Sequence, residues 1–218
     1  MKLSVVDDPG VLLRDAAPGV ARGVALVAKH RALLRGHFAL QSGQHAEYFL
    51  RFAKVGWDEA DCAALGEGLG ATLDPAALSG GRVVVFSPES AGYFLGRAVA
   101  RALDVPHAIA RVDLNRCPVD RFRSEGIAAG DRVVLVNDVV TSAGSLEGLR
   151  AMATRHGGTV VAARVFASLA PAAFATWSAA HGVDGWHLVE GAWPMHDGAR
   201  CPLCQRGGDA PVPAIEFN

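Results

Sequence analysis

The chain has 218 residues, half of them hydrophobic, with 21 basic and 22 acidic residues and a formal net charge of −1. This length and composition predict one domain over residues 1–218 with a buried core, and exclude a disordered chain. The charge balance gives no overall field that would recruit nucleic acid or an anionic membrane, so we expect neither as a partner. No apolar run reaches the roughly 20 residues of a membrane span, and the N-terminal residues lack a signal peptide's apolar core, so we expect a cytoplasmic protein.

The first third of the chain predicts two helices on either side of a strand pair. Apolar residues recur at helical spacing over residues 20–35 and stop at Gly36, a residue that often ends helices. Residues 37–51 then predict two short strands around a Ser-Gly turn. A second helical pattern covers residues 58–73 and opens with an Asp that can cap it.

Strands and helices alternate from residue 82 onward. We predict strands at 82–86, 107–110, 132–136 and 159–166, and helices at 90–103 and 145–155. This alternation is typical of an α/β fold with a parallel sheet and crossover helices. Residues 111–130 are polar and predict a long loop, which in a compact domain is usually functional or mobile. Residues 182–218 are rich in Gly and Pro, and predict one strand at 186–189 and then irregular chain that wraps the core surface.

The most informative stretch is VVLVNDVVTSAGSL, residues 133–146. Its apolar strand ends at Asn137 and Asp138, and small hydroxylated residues then precede a helix. Successive backbone N–H groups between a strand and a helix N-terminus form an anion site, to which hydroxyl side chains add donors. The carboxylate of Asp138 can hold a sugar hydroxyl or a hydrated magnesium ion. These residues indicate a sugar-phosphate site, and the alternative is an ordinary capped turn without a ligand.

This stretch resembles the phosphoribosyl pyrophosphate (PRPP) motif of type I phosphoribosyltransferases, and three other segments resemble the orotate phosphoribosyltransferase branch of that family. Residues 36–45 (GHFALQSGQH) are similar to its N-terminal hood segment, residues 87–92 (SPESAG) to its pyrophosphate loop, and residues 201–204 (CPLC) to the tail of many bacterial members. The resemblance covers about residues 20–207. It implies a parallel-sheet core at about 80–170 with flanking helices, a hood at about 36–56 and an irregular tail at about 182–218.

The resemblance also implies a magnesium-dependent reaction in which a nucleobase nitrogen displaces pyrophosphate from C1 of the ribose of PRPP. Positive charge develops on the ribose and negative charge on the leaving group, so such a site needs a carboxylate and many donors. Asp138 would serve the ribose and hold Mg²⁺ through water. The family's dimers imply a homodimer here. The positions implied to bind PRPP are Asn137, Asp138, Val139, Thr141, Ser142, Ala143, Gly144, Ser145, Pro88, Glu89, Ser90, Ala91, Gly92, Gln41 and Ser42.

Several positions depart from the family pattern. Asn137 replaces the first acid of the usual pair, and Ala143 stands where glycine is common and is strained if its φ is positive. Residues 111–130 contain no lysine, although the family usually has lysines in and just before this loop. Arginine binds pyrophosphate through its fork of donors, so we assign the cationic catalytic role to arginines. These are Arg111, Arg121 and Arg123.

The position expected to recognise the base departs further. Orotate enzymes hold the substrate carboxylate with an arginine just past the strand that here covers 159–166, where this chain has ASLAP at residues 167–171. A carboxylate buried there without a partner is penalised, so we predict a neutral purine, deazapurine or pyrimidine rather than orotate. Two alternatives stay open: a PRPP-binding regulatory or scaffold protein without catalysis, and an orotate phosphoribosyltransferase proper.

Cysteine and histidine residues raise a separate question. Cys201 and Cys204 form a CxxC, and His196 lies five residues before the first of them, so the three can begin a zinc site. A complete site needs four ligands and only three are local, so we favour a structural pair of thiols over Zn²⁺. His37 and His45 flank the hood turn, where we expect surface or core histidines, with contact to the base or pyrophosphate as the alternative.

Overall fold

The protein was analysed as a computed structural model that describes residues 3–16, 22–40, 42–113, 118–206 and 210–214. The strands are, in chain order, β1 (Ser4–Val5), β2 (Leu13–Asp15), β3 (Leu33–Ala39), β4 (Gln44–Leu50), β5 (Val83–Pro88), β6 (His107–Val112), β7 (Pro118–Phe122), β8 (Arg132–Val140), β9 (Thr159–Ser168), β10 (Asp184–Gly191), β11 (Met195–Asp197) and β12 (Val212–Pro213). The helices are α1 (Gly23–Lys29), α2 (Ala53–Gly56), α3 (Glu59–Gly70), α4 (Pro75–Leu78), α5 (Gly92–Leu103), α6 (Gly144–Arg155), α7 (Pro171–His181) and α8 (Pro202–Gln205). None of these helices is long and apolar enough to cross a bilayer.

The larger sheet carries the core of the fold. Its seven strands run in the order β2-β10-β9-β8-β5-β6-β7, with the five inner strands parallel and both edge strands antiparallel to their neighbours. Alternate residues of β8 enter two different apolar clusters: Val134 and Val136 pack with α3 and α5, whereas Val133 and Leu135 pack with α6 and α7. Burial on both faces explains the uninterrupted apolar run that the sequence shows here.

The smaller sheet, which we call the hood sheet, consists of β1, β3, β4, β11 and β12. The hairpin of β3 and β4 turns at Gly43, whose φ of +78° suits glycine. The C-terminal part of the chain returns to this hairpin, where β11 pairs with β4 and β12 pairs with β3. The strand predicted at 186–189 lies within β10, whereas the expectation of irregular chain after it is wrong, because β11 and β12 complete the hood sheet.

The predicted helix over 20–35 is also wrong in its second half. Helix α1 ends at Lys29, and β3 has already begun at Leu33, which pairs with Leu50 of β4. Gly36 lies inside this strand instead of ending a helix. A side chain there would meet Leu3, since a built Cβ lies 2.4 Å from that residue's Cδ2. Strand pairing in the hood sheet thus outweighs the helical spacing of the apolar residues.

The predicted alternation from residue 82 is confirmed, with later boundaries for several strands. Strand β8 continues to Val140, four residues past the predicted end at 136, because Val139 and Val140 pair with the end of β9. Helix α3 begins as predicted, with the Asp58 carboxylate accepting a hydrogen bond from the N–H of Asp61 at 3.0 Å. The loop at 111–130 contains β7, and helix α7 and the N-terminal strands have no counterpart in the predicted pattern.

Candidate active site

A cleft of about 580 Å³ opens at the carboxyl ends of β5 and β8, between the larger sheet and the hood sheet. This is the place where open α/β sheets bind ligands, and the volume lies within the usual range for small-molecule sites. Its described lining comprises Leu40, Ser42, Tyr48, Phe49, Leu50, Pro88, Ser90, Ala91, Pro118, Asn137, Asp138, Val139, Thr141, Ser142, Ala143, Gly144, Ser145, Gly148, Leu169, Trp193, Met195 and Ala214. Gln41, which the sequence placed in the site, lies outside the described residues.

The loop at 141–145 forms one end of the cleft. Ala143 is buried and has a φ of +59°, so the strain considered for this position is present. It is the N-cap of α6 and makes no side-chain cap hydrogen bond. The N–H groups of the first turn of a helix have no intrahelical acceptor, so this helix end can accept an anion. Thr141 and Ser142 are exposed beside it and add hydroxyl donors.

Asn137 and Asp138 have different environments although they are adjacent. Asn137 is buried; its Nδ2 donates to Oγ of Ser145 at 3.0 Å, and its Oδ1 accepts from the backbone N–H of Asp138, also at 3.0 Å. The amide therefore ties the end of β8 to the start of α6. The carboxylate of Asp138 is half-buried and lines the cleft. Asn137 is thus a positioning residue for the loop, and Asp138 carries the charge.

Residues 87–92, which we call the pyrophosphate loop after the family segment that they resemble, lie next to the 141–145 loop. A built Cβ at Gly92 would lie 2.8 Å from Oδ1 of Asn137, so glycine is needed where the two loops meet. Helix α5 begins at this residue, and its N-cap Ala91 lines the cleft. Two helix N-termini, of α5 and α6, therefore meet the same cleft, which favours a ligand with two anionic groups.

A buried polar pair joins the first residue of this loop to the neighbouring strand β6. Ser87 is fully buried, and its Oγ lies 2.8 Å from Nε2 of His107. Burial is the main cause that lowers the pKa of His107 to about 4, and Arg97 lowers it further. The imidazole is therefore neutral at physiological pH.

The three arginines assigned to catalysis are not among the residues that line the cleft. Arg123 forms an ion pair with Glu89, and Nε of Arg111 lies 3.8 Å from the same carboxylate. That carboxylate also accepts the backbone N–H of Val112 at 2.9 Å. Arg121 is exposed on β7. Glu89 is only 14 % exposed and so needs cations close by, and it holds two of the arginines beside the pyrophosphate loop.

Part of the cleft lining, which we call its aromatic end, is apolar and aromatic. Tyr48, Phe49, Leu169, Trp193 and Met195 lie here, and the rings of Tyr48 and Trp193 are 5.9 Å apart. Among the described residues that line the cleft, Asp138 is the only one with a charged side chain. The sequence patterns contain no signal for the tail residues, because long-range strand pairing, such as that of β11 with β4 and of β12 with β3, brings the tail to the cleft.

Two residues of β9, Arg164 and Phe166, have structural roles and do not contribute to the cleft. Arg164 lies on β9 but is fully buried, and its guanidinium bonds to Asp184 at 2.5 Å and to the Thr72 carbonyl at 2.9 Å. Phe166 is fully buried, and its ring centroid lies 4.8 Å from that of Phe52. Neither side chain lines the cleft.

The cysteines of the CPLC segment meet the two hood histidines, and not the local histidine. Ligand atoms of His37, His45, Cys201 and Cys204 all lie within 4.8 Å of one another, and His196 is not part of this group. The interpretation of His196 as the third local ligand is therefore wrong. The pairing of β11 with β4 and the turn into α8 carry the two thiols to the hood sheet.

Comparison with known proteins places this fold and cleft among the phosphoribosyltransferases. Residues 69–173 match the family model of the phosphoribosyl transferase domain. An orotate phosphoribosyltransferase of Thermus thermophilus is 30% identical over 176 residues, which cover 81% of this chain and 91% of that protein. One from Sulfurimonas denitrificans is 29% identical over 199 residues, covering 86% and 95%.

Solved structures agree on the fold. The crystal structure of orotate phosphoribosyltransferase from Aeropyrum pernix superposes with a TM-score of 0.59 at 21% identity, covering 77% of this chain and 91% of that one. The adenine phosphoribosyltransferase of Thermoanaerobacter pseudethanolicus gives 0.52 at 18% identity, covering 66% and 88%. The chain is an enzyme of the pentosyltransferase class, and it belongs to the type I phosphoribosyltransferase family, in the branch similar to the orotate enzymes.

Proposed function

We propose that this phosphoribosyltransferase transfers the 5-phosphoribosyl group of PRPP to an uncharged nucleobase, a purine, deazapurine or pyrimidine, and releases pyrophosphate. One observation carries the choice of base. The described lining residues at the aromatic end of the cleft include no cation. Arg164, the arginine of β9, is buried, and its guanidinium donates hydrogen bonds to Thr72 and Asp184. An uncharged ring can lie between Tyr48, Trp193 and Leu169 without a desolvated charge.

In this proposal, the N-termini of α5 and α6 set the orientation of PRPP in the cleft. The 5′-phosphate lies on the 141–145 loop at the start of α6, and the pyrophosphate lies on Ser90, Ala91 and Gly92 at the start of α5. The ribose then lies over Asp138, whose carboxylate stabilises the positive charge that develops on the sugar ring. The base reaches C1 from the aromatic end.

The described lining of the cleft offers Mg²⁺ one carboxylate ligand. Mg²⁺ keeps several waters and is usually held by one or two carboxylates together with substrate phosphates, and Asp138 supplies one carboxylate to the cleft. When bound, the ion would neutralise negative charge on the leaving pyrophosphate. Asn137 does not contribute a second carboxylate, and its amide is used by Ser145 and Asp138. Water molecules and the substrate's own oxygens would therefore supply the remaining ligands.

Orotate is the second candidate, because the relatives that match most of the chain are named orotate phosphoribosyltransferases. Its carboxylate would need a cation at the aromatic end of the cleft. Leu169 lines the cleft just past β9 and belongs to the segment 167–171, where the resemblance places the arginine of the orotate enzymes. The L169R variant therefore tests the argument directly. We expect it to gain activity on orotate and to lose activity on the neutral base.

The test is release of pyrophosphate from PRPP and Mg²⁺ with a panel of adenine, guanine, hypoxanthine, a deazapurine, uracil and orotate. We expect release with at least one uncharged base. Release with orotate alone would overturn the proposed base specificity. Binding of PRPP in calorimetry without turnover on any base would favour the regulatory alternative.

A further inference from the structure

Four potential metal ligands converge at the junction of the hood sheet and the C-terminal tail. Nε2 of His37 lies 3.1 Å from Nδ1 of His45. Sγ of Cys201 and Sγ of Cys204 each lie 3.6 Å from Nε2 of His37, and Sγ of Cys204 lies 3.4 Å from Nδ1 of His45. Each residue thus turns one nitrogen or sulfur atom toward a common point.

These separations match those of a tetrahedral zinc site. Zinc–nitrogen bonds of about 2.05 Å and zinc–sulfur bonds of about 2.3 Å at tetrahedral angles place two nitrogens about 3.3 Å apart and a nitrogen and a sulfur about 3.6 Å apart. The observed values of 3.1, 3.4 and 3.6 Å differ from these by 0.2 Å or less. Two imidazoles and two thiolates are also a donor set that zinc prefers.

The fold holds the four ligands in place from three segments. His37 lies on β3 and His45 on β4, so the hood hairpin presents both imidazoles. Cys201 and Cys204 come from the start and the body of the short helix α8. Cys201 and His37 are almost fully buried, so the centre of the group is shielded from solvent on that side.

We propose that these four residues bind one structural Zn²⁺ ion as a Cys₂His₂ site. All four positions are filled by protein, as in structural zinc sites, so the ion has no open position for a substrate or an activated water. None of the four residues is among those that line the cleft. The two thiols lose their protons to solvent when the ion binds, so uptake depends on pH but involves no redox step.

The position of the site gives it a role in the architecture. It joins α8 to the hood hairpin, between β11 and β12, and so fixes the tail that contributes Trp193, Met195 and Ala214 to the cleft. The ion would cross-link segments that are far apart in sequence. His37 and Cys201, for example, are 164 residues apart. Long loops closed by a metal gain stability because the unfolded chain loses more freedom.

The experiment measures metal content and cobalt spectra of the full chain purified under reducing conditions without chelator. We expect one zinc per chain by elemental analysis. We also expect replacement by Co²⁺ to produce a thiolate-to-metal charge-transfer band and the visible bands of tetrahedral cobalt. The C201S and H45N variants should bind Co²⁺ at least about tenfold more weakly. Loss of a residue that only hydrogen-bonds to a metal ligand already lowers metal affinity by about that factor, and these variants lose a ligand itself.

The H196N variant is the matched control, because His196 pairs with His45 across β11 and β4 but is not one of the four ligands. It should keep one zinc per chain and the wild-type cobalt spectrum. The cobalt spectrum of the wild-type protein keeps the test decisive if C201S fails to fold. A folded wild-type chain that takes up neither zinc nor cobalt would overturn the proposal. A Cys201–Cys204 disulfide in protein purified under reducing conditions would also overturn it, as would a loss of metal in H196N as large as that in C201S.

Discussion

At the residue scale, the neighbouring residues Asn137 and Asp138 divide two roles between them. The amide of Asn137 is buried and bridges β8 to Ser145, whereas the carboxylate of Asp138 lines the cleft. The sequence places both residues at the site but cannot distinguish these roles, because both types fit the end of a strand. Only the hydrogen bonds made within the folded loop separate the positioning residue from the charged one.

Removal of the charge of Asp138 tests its role. In D138N, we expect the rate of pyrophosphate release to fall by about 100-fold or more, because the ribose loses its counter-charge in the transition state. The melting temperature should change little, since the side chain is only half-buried. Steady-state kinetics and thermal unfolding measure both effects. The E59Q variant makes the same chemical change at an exposed position and should keep full activity.

His107 predicts a pH dependence of stability. Its imidazole takes up a proton near pH 6.5 in the unfolded chain but only near pH 4 in the folded protein, because burial disfavours the charged form. Between these values the unfolded state binds more protons, so the free energy of unfolding falls as the pH is lowered through this window. The full shift, from 6.5 to about 4, corresponds to a loss on the order of 3 kcal/mol once the pH is below both values.

Chemical denaturation at pH 7 and pH 5 measures about 2 kcal/mol of this loss, because the rest develops only below pH 5. In H107Q, which keeps a polar group near Ser87, the stability should decrease less between the two pH values than in the wild type. An equal decrease in the free energy of unfolding of the two proteins between pH 7 and pH 5 would show that His107 does not contribute to the pH dependence. Glu147 has a pKa lowered to about 2, mainly by its hydrogen bond to Arg150, from 4.5 in the unfolded chain. Its contribution to stability is therefore lost mostly below pH 4.5 and changes little between pH 7 and pH 5.

At the scale of elements, the connection from β8 to α6 is the part of the fold that the sequence predicts best. Its apolar run is long enough to identify a buried strand, and the small residues after it identify the loop. The boundary of β3 is the opposite case. Its residues have helical spacing, but pairing with β4 makes them a strand, and such long-range pairing is not visible in a local pattern.

Ala143 allows a test of the 141–145 loop as an element. Its φ of +59° is unfavourable for any side chain and most of all for a β-branched one, and its methyl group is buried. We expect A143V to lower the free energy of unfolding by about 2 kcal/mol or more and to weaken PRPP binding. In A143G the strain is absent, and PRPP affinity should stay close to that of the wild type. Urea titration and calorimetry measure the two quantities.

At the scale of the whole molecule, the tail completes both the hood sheet and the cleft. Trp193 lies in the cleft where the chain passes from β10, which pairs with β9, to β11, which pairs with β4. The sequence identifies the CPLC segment but not its partners, because His37 and His45 lie more than 150 residues earlier in the chain. Contacts of this kind depend on the folded topology and could not be predicted from residue spacing.

Trp193 therefore predicts an effect on the base and not on PRPP. In W193A, we expect the KM for the base to rise about tenfold, because the ring loses an aromatic contact, while the KM for PRPP changes less than twofold. The conservative variant W193F should restore most of the affinity. An equal rise in both KM values would indicate instead that the tail as a whole has been displaced.

The homodimer implied by the resemblance stays a prediction for the whole molecule. Light scattering coupled to size-exclusion chromatography is expected to give twice the chain mass of 22.7 kDa. A mass of one chain at the concentrations used for activity would contradict it.

The specificity of the cleft for an uncharged base is tested most directly by the ratio of kcat/KM for the best neutral base to kcat/KM for orotate in the wild-type enzyme. Since no cation is present among the described residues at the aromatic end, an orotate carboxylate would be desolvated without a partner. We predict a ratio of at least about 100, in line with the penalty for an unpaired buried polar group. A ratio below one would contradict the account.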